Sequence, residues 1–173
     1  MDMNLIDGKK VLIVDDEKDI IETIEDLLEK CVIESAMDFN SAKELITNNK
    51  YDVVILDVMG VNGYELLKIA NEKQLPAIIL TAHALSAENF KKSIKNGAYI
   101  YLPKDNMFII AEYLAELFEV IASSRDKSGR WFLTLAPSFD KKFGKDWKKN
   151  DKPFWQDFAN LFEFTKEELE EVL

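Results

Sequence analysis

Five short and mainly apolar runs divide the first part of the chain, and segments with helical periodicity separate them. The runs cover residues 11–14, 32–36, 53–56, 77–80 and 99–102. Apolar runs of this length with polar flanks are typical of strands buried in a parallel sheet. The intervening and following segments predict helices at about 18–30, 41–48, 64–72, 86–96 and 106–122. This alternation predicts an α/β fold with a doubly wound five-stranded parallel sheet and right-handed crossovers.

Polar side chains follow four of these runs at the points where the strands would end. Asp15 and Asp16 follow the first run, Asp57 the third and Thr81 the fourth, and Lys104 comes shortly after the fifth. Ligands of open parallel sheets gather at the carboxyl ends of the strands. We therefore expect these five side chains to form one site.

The charges of this site predict its chemistry. Three carboxylates about 5 Å apart would repel one another by roughly 3 kcal/mol per pair at an effective dielectric of 20. Mg²⁺ relieves such repulsion and keeps water ligands that a phosphoryl group can replace. A carboxylate nucleophile, a metal ion, a lysine and a hydroxyl together suit an aspartyl phosphate. Each aspartate by itself could equally be a helix cap, so the prediction depends on the whole set.

At these residues the sequence resembles the receiver domain of two-component response regulators. The matching strings are VLIVDDE (11–17), VVILDVM (53–59), AIILTAHA (77–84) and NGAYIYLPK (96–104), and the resemblance covers about residues 9–122. It implies a flavodoxin-like receiver fold, Mg²⁺ as cofactor and a sensor histidine kinase as phosphoryl donor. The implied roles are phospho-acceptor for Asp57, metal ligands for Asp15, Asp16, Asp57 and the backbone carbonyl of Met59, switch residues for Thr81 and Tyr101, and phosphate-pairing cation for Lys104.

Two departures from the family pattern concern the loops around the site. The loop after Asp57 is about two residues short, and Gly60 could allow the tighter turn because glycine readily takes positive φ. Pro103 precedes Lys104, whereas the family has a proline after the lysine. We expect a trans bond between Lys104 and Asp105, since a cis bond without proline would cost about 2.5 to 4 kcal/mol.

Local signals predict where several helices begin. Ser41 with Glu44 resembles a capping box for the second helix, and Ser86 is expected to cap the fourth. Asp105 is expected to cap the last helix of the receiver part. His83, the single histidine, is expected to be an exposed loop residue rather than a zinc ligand.

The composition changes after residue 122. Residues 123–130 are polar and turn-prone and predict a linker between a receiver domain at 1–122 and a small, mostly helical and aromatic-rich extension at 131–173. The extension holds ten of the 19 aromatic residues and all three tryptophans. Pro153 suits the first turn of a helix that runs to about residue 162, and Thr165 with Glu168 predicts a short terminal helix. Because the segment is too short for a large core of its own, its aromatics should pack on the receiver part, on a second copy, or on another protein.

The leading interpretation is a response regulator that receives a phosphoryl group on Asp57. Its phosphorylation state would control a protein–protein interaction surface, for which a homodimer and a downstream protein are both candidates. The resemblance implies that the face of the fourth helix, fifth strand and fifth helix is remodelled, and we expect the aromatic segment to cover or extend that face. The chain would catalyse at most its own phosphotransfer and dephosphorylation.

Three alternatives remain. One is a DNA-binding transcriptional regulator that uses the C-terminal segment, which has six lysines between positions 141 and 152. The net charge of -10, with 12 basic against 22 acidic residues in 1–122, disfavours nucleic acid. A phosphatase with an aspartyl nucleophile would need a second acid at the position of Met59. A flavin protein of the flavodoxin type would need a hydroxyl-rich loop where Asp15 and Asp16 lie.

The location follows from composition. The chain has a single cysteine, no apolar leader at its start, and no run of about 18 apolar residues. We therefore expect a soluble cytoplasmic protein without a membrane partner.

Overall fold

A five-stranded parallel sheet in the order β2-β1-β3-β4-β5 forms the centre of the protein. The computed structural model describes residues 2–82, 85–123 and 127–172. The strands are β1 Lys10–Val14, β2 Val32–Ala36, β3 Val53–Leu56, β4 Ala77–Thr81 and β5 Ile100–Pro103. The helices are α1 Lys18–Leu27, α2 Phe39–Asn48, α3 Gly63–Glu72, α4 Ala87–Lys95, α5 Ile110–Ala122, α6 Arg130–Phe143, α7 Lys152–Leu161 and α8 Lys166–Val172. Short 3₁₀ helices occupy Met3–Ile6 and Lys104–Ile109.

The predicted α/β fold with its doubly wound parallel sheet is confirmed. Every residue of β3, β4 and β5 is buried, as are the last four of β1, because helices cover both faces of the sheet. β2 lies at an edge and is mostly exposed. The pairing aligns Val14 with Leu56, and Thr81 with Pro103. The carboxyl ends of β1, β3, β4 and β5 are therefore brought together at one edge of the sheet.

Some helix boundaries differ from the expected ones. Ser86 caps α4 as predicted, since its side chain accepts a hydrogen bond from the backbone N–H of Asn89. The capping box at Ser41 was wrong: α2 begins two residues earlier, and the side chain of Asp38 accepts from the N–H of Ser41. The Asp38 carboxylate, three residues before Ser41, therefore provides the same type of N-cap almost one turn upstream.

The prediction that Asp105 caps the last receiver helix was also wrong. A 3₁₀ helix at Lys104–Ile109 precedes α5, and its cap position is Pro103. The Asp105 carboxylate instead pairs with Lys142 of α6 at 2.7 Å. The peptide bond between Lys104 and Asp105 is trans as predicted, since no cis bond occurs in the described ranges.

The C-terminal helices pack on the receiver part. Three packing surfaces were considered for their aromatic residues, namely the receiver part, a second copy and another protein, and the structure shows the first. Pro153 lies in the first turn of α7, and Thr165 and Glu168 form the predicted reciprocal capping box before α8. Helix α6 had not been predicted; its buried residues Trp131, Phe132, Leu135 and Phe139 recur at helical spacing. The buried aromatics of the segment join the same apolar core as the sheet. Within the described ranges, no helix is both long and apolar enough to span a membrane.

Candidate functional site

Three carboxylates meet where β1 and β3 end. Asp15 and Asp16 directly follow β1, and Asp57 directly follows β3. Because Val14 and Leu56 are paired in register, the residues after them lie side by side. One oxygen of each carboxylate lies within 4.8 Å of the other two. Asp15 and Asp57 are only 2% and 3% exposed, whereas Asp16 faces solvent.

Lys104 contacts three carboxylates with one ammonium group. Its Nζ lies 2.7 Å from Asp15, 2.8 Å from Asp57 and 2.7 Å from Glu17. The lysine is 6% exposed, and burial alone would lower its pKa. The three carboxylates outweigh burial and raise the pKa of the Lys104 amine above its usual value, so the amine is charged at neutral pH. Glu17 was not among the expected site residues, although it directly follows the acidic pair in VLIVDDE.

The protein backbone fixes the orientation of both buried carboxylates. Asp15 accepts a hydrogen bond from the N–H of Glu17 at 2.9 Å, and Asp57 accepts one from the N–H of Met59 at 3.2 Å. In each carboxylate, one oxygen accepts a hydrogen bond from the backbone and the other contacts the Lys104 ammonium. Burial raises the pKa of Asp15, and the contact with Lys104 opposes that shift.

The site has an excess of negative charge. Four carboxylates, of Asp15, Asp16, Glu17 and Asp57, surround a single ammonium. All the side-chain donors are oxygen atoms, which suits Mg²⁺. Asp15, Asp16 and Asp57 could hold such an ion. The Met59 carbonyl, the fourth expected ligand, accepts a hydrogen bond from the N–H of Val61 at 2.8 Å and has a second lone pair.

The short loop after β3 packs directly on these acids. Gly60 has a φ of 76°, and a Cβ there would press on the Asp16 carboxylate. A Cβ on Gly63, the first residue of α3, would collide with the backbone oxygen of Asp57. The tight turn therefore depends on glycine at both positions. Gly63 was not identified from the sequence, because only the close approach of two backbone segments makes it necessary.

Thr81 lies on β4, the strand next to β3, and Tyr101 lies on β5, one strand further from the acids. Thr81 is the last residue of β4 and is fully buried, and its Cα pairs with that of Pro103. Tyr101 of β5 is also fully buried, with its ring edge-on to Phe90 at 5.6 Å between centroids. Burial raises the pKa of the Tyr101 hydroxyl. His83 lies outside the described residues.

Comparisons with known proteins agree with this arrangement. A family model described as the response regulator receiver domain matches residues 11–111, which is more than half of the chain. The chain belongs to the response regulator receiver family. The receiver domain is thus a component of a two-component system.

Two relatives and one solved structure illustrate the similarity of the receiver domain. Two-component response regulator ARR18 of Arabidopsis thaliana is 36% identical over 103 residues, covering 56% of this chain and 16% of ARR18. Transcriptional regulatory protein YvrH of Bacillus subtilis (strain 168) is 30% identical over 134 residues, covering 73% of this chain and 56% of YvrH. A CheY-like receiver domain protein from Methanospirillum hungatei JF-1 has a TM-score of 0.62 at 25% identity, covering 68% of this chain and 98% of that structure. The chain thus spans about a sixth and just over half of the two relatives.

The family match to the receiver domain ends at residue 111, before α5 is complete. Helices α6, α7 and α8 lie beyond it. Helices α6 and α7 contact the receiver part through the apolar core that they share with the sheet.

Proposed function

We propose that this receiver domain accepts a phosphoryl group on Asp57 from a sensor histidine kinase, and that its phosphorylation state controls a protein–protein interaction surface. One observation carries the proposal: the Asp57 carboxylate is buried, held by the Met59 N–H, and 2.8 Å from the Lys104 ammonium. That geometry combines an oriented oxygen nucleophile with a cation for the transferring oxygens.

The proposed reaction is an in-line displacement at phosphorus. An Asp57 carboxylate oxygen forms the new P–O bond, the P–N bond of the donor phosphohistidine breaks, and the donor nitrogen retains the electron pair. Lys104, already in contact with Asp57, pairs with the phosphoryl oxygens and leaves Glu17 in doing so. The backbone N–H of Met59 keeps the carboxylate in place.

Mg²⁺ is the proposed cofactor, held by Asp15, Asp16, Asp57 and the Met59 carbonyl. When bound, it would neutralise the charge of the acids and of the phosphoryl oxygens. The fit is supported by three carboxylates with oxygens inside 4.8 Å and only one ammonium among them. Thr81 and Tyr101 are the proposed switch residues, supported by their burial on β4 and β5 next to the site. A cytoplasmic location is part of the proposal, since the single cysteine suits a reducing compartment.

A transcriptional role is the second candidate, because YvrH is named a transcriptional regulatory protein. The basic stretch at 141–152 does not support it: Lys142, Lys148 and Lys149 each pair with an aspartate of this chain. A mobility-shift assay against duplex DNA at increasing salt tests the idea. Binding that weakens steeply with salt would favour DNA recognition.

Incubation with acetyl phosphate and Mg²⁺, followed by intact mass measurement, tests the phospho-acceptor role. We expect wild type to gain one phosphoryl group that hydroxylamine removes, and Asp57→Asn to gain none. Asp52→Asn, at the opposite end of β3, is the matched control and should label like wild type. Equal labelling of Asp57→Asn would refute the assignment.

A further inference from the structure

The face formed by α4, β5 and α5, called here the α4–β5–α5 face, is covered by the chain's own C-terminal helices. Phe90 of α4 is the centre of this contact and is fully buried. Its ring lies 5.4 Å from that of Phe139 and 5.3 Å from that of Trp147. Five further rings lie within 6.3 Å of it, those of Trp131, Phe132, Phe154, Trp155 and Phe158. These rings form one continuous aromatic core. Such packing is typical of the interior of a domain rather than of a flexible linker.

Polar contacts tie the segment to the receiver part around this aromatic core. Glu116 of α5, which is almost fully buried, accepts a hydrogen bond from Ser128 at 2.8 Å. The buried Lys127 ammonium donates to the carbonyls of Gly97 and Ala98 at 3.2 and 3.1 Å. On the α4 side, the Lys91 ammonium lies 3.4 Å from the carboxylate of Asp151, the N-cap residue of α7. Buried charged groups with matched partners indicate a specific docked arrangement.

We propose that residues 127–172 are the ligand of the α4–β5–α5 face, and that their docking and the phosphorylation of Asp57 strengthen each other. This inference depends on the proposed phospho-acceptor function. Beyond that function, it identifies the partner of the face as a segment of the same chain. It also states that the coupling between docking and phosphorylation is positive.

Helix α6 contacts the chain on both sides of Lys104, at Tyr101 of β5 and at Asp105. Phe139 lies 6.2 Å from the Tyr101 ring, three residues before Lys104. Lys142 pairs with Asp105, the residue directly after Lys104, at 2.7 Å. Lys104 itself contacts Asp57. A shift of Lys104 towards a phosphoryl group would therefore act on α6 through these two neighbouring contacts.

Electrostatics determines the sign of this coupling. Phosphorylation replaces one carboxylate charge by a group carrying about -1.5 to -2. Lys142, in the last turn of α6, is held 2.7 Å from Asp105, so the end of α6 nearest to the site presents an ammonium there. Added negative charge at Asp57 attracts that end and favours the docked arrangement. By thermodynamic reciprocity, docking then favours the phosphorylated state by the same factor. Since Lys142 and Asp105 are partly exposed, we expect a factor near the low end of typical coupling, about fivefold.

The test uses the intact chain with Mg²⁺ and beryllofluoride, a phosphoryl mimic. All three tryptophans lie in the C-terminal segment and none in residues 1–122, so tryptophan emission reports on the segment alone. We expect beryllofluoride to shift this emission and to slow hydrogen exchange in α6 by about fivefold. Fluorine NMR, together with the Asp57→Asn variant, shows independently whether the mimic occupies Asp57.

Two neighbouring lysines provide a matched pair of variants. Lys142→Ala removes the pair with Asp105 and should reduce the slowing of exchange to about twofold or less. Lys141→Ala is the control and should behave as wild type, because in the described part of the chain Lys141 makes no ion pair. Equal slowing in the two variants would overturn the electrostatic coupling.

The remaining outcomes are distinguishable. Bound beryllofluoride with unchanged or faster exchange in α6 would overturn the inference and leave the phospho-acceptor function standing. Absence of bound beryllofluoride would instead overturn the proposed function. A dimer in sedimentation that forms with loss of protection in α6 would assign the α4–β5–α5 face to a second copy and refute the inference.

Discussion

Replacing Lys104 by methionine removes the ammonium that contacts Asp15, Glu17 and Asp57 while keeping a side chain of similar length. In the wild-type protein this ammonium lies 2.7 and 2.8 Å from Asp15 and Asp57, both almost fully buried. At such separations and an effective dielectric of 20, each attraction is worth about 6 kcal/mol before desolvation is subtracted. The contact with Glu17 adds little, because half of that side chain is exposed.

Desolvation offsets most of that gross attraction. Breaking a buried pair by removing one partner leaves an uncompensated charge and typically costs about 3 to 5 kcal/mol. We therefore expect Lys104→Met to lose about 3 to 5 kcal/mol in free energy of unfolding at neutral pH, measured by urea denaturation. Lys18→Met is the control: Lys18 is exposed and, among the residues that the structure describes, forms its ion pair with Glu22, so the change should stay within about 0.5 kcal/mol.

The pH dependence of this loss follows from Asp15. Burial raises the pKa of Asp15, and loss of Lys104 should raise it further. A carboxyl with a raised folded-state pKa stabilises fully below its unfolded value of 3.8, and that stabilisation is lost as the pH rises through the folded-state value. The difference between wild type and Lys104→Met should therefore be largest near neutral pH and shrink as the solution is acidified towards pH 4.

Mg²⁺ should partly rescue the variant. At ten times its dissociation constant, an ion that binds only the folded state adds about 1.4 kcal/mol. The gain should be larger for Lys104→Met than for wild type, because the variant site carries one more uncompensated negative charge. A loss below about 1 kcal/mol, or equal stabilisation of both proteins by Mg²⁺, would refute the claim that repulsion between the acids dominates this site.

Three further predictions concern packing and buried charge. Phe90→Ala should cost about 3 to 5 kcal/mol in urea denaturation, whereas Phe108→Ala, at a ring that is 67% exposed, should stay within about 0.5 kcal/mol; similar losses would contradict the aromatic core. Gly63→Ala should abolish labelling by acetyl phosphate, since its methyl group would collide with the Asp57 backbone oxygen; normal labelling would show that the loop can yield. Burial raises the pKa of Glu116, so Glu116→Gln should stabilise the protein at pH 7 and lose that stabilisation as the pH falls towards 4.5. Thermal unfolding at several pH values measures the difference, and a stabilisation independent of pH would contradict the prediction.

The sheet and the acidic cluster could be predicted from sequence because both depend on local patterns. Strands buried on both faces are continuously apolar, as in 53–56 and 77–80, and side chains directly after such strands must share one edge. Asp15, Asp57 and Lys104 therefore met as expected.

The remaining features depend on contacts between residues distant in sequence. Asp105 was expected to cap a helix and instead pairs with Lys142, 37 residues away. Helix α6 was not foreseen, because a polar linker precedes it and Pro137 interrupts its helical pattern. Its aromatics become core only when the rings of α4 and β5 lie opposite them, which no local signal reveals.

The position of the acyl phosphate is the most direct test of the account. Borohydride reduces an aspartyl phosphate to homoserine, so tandem mass spectrometry after treatment with acetyl phosphate, Mg²⁺ and borohydride locates the modified carboxyl. We expect homoserine at position 57. Homoserine at position 15 or 16, or an unmodified residue 57 under conditions that label the intact chain, would contradict it.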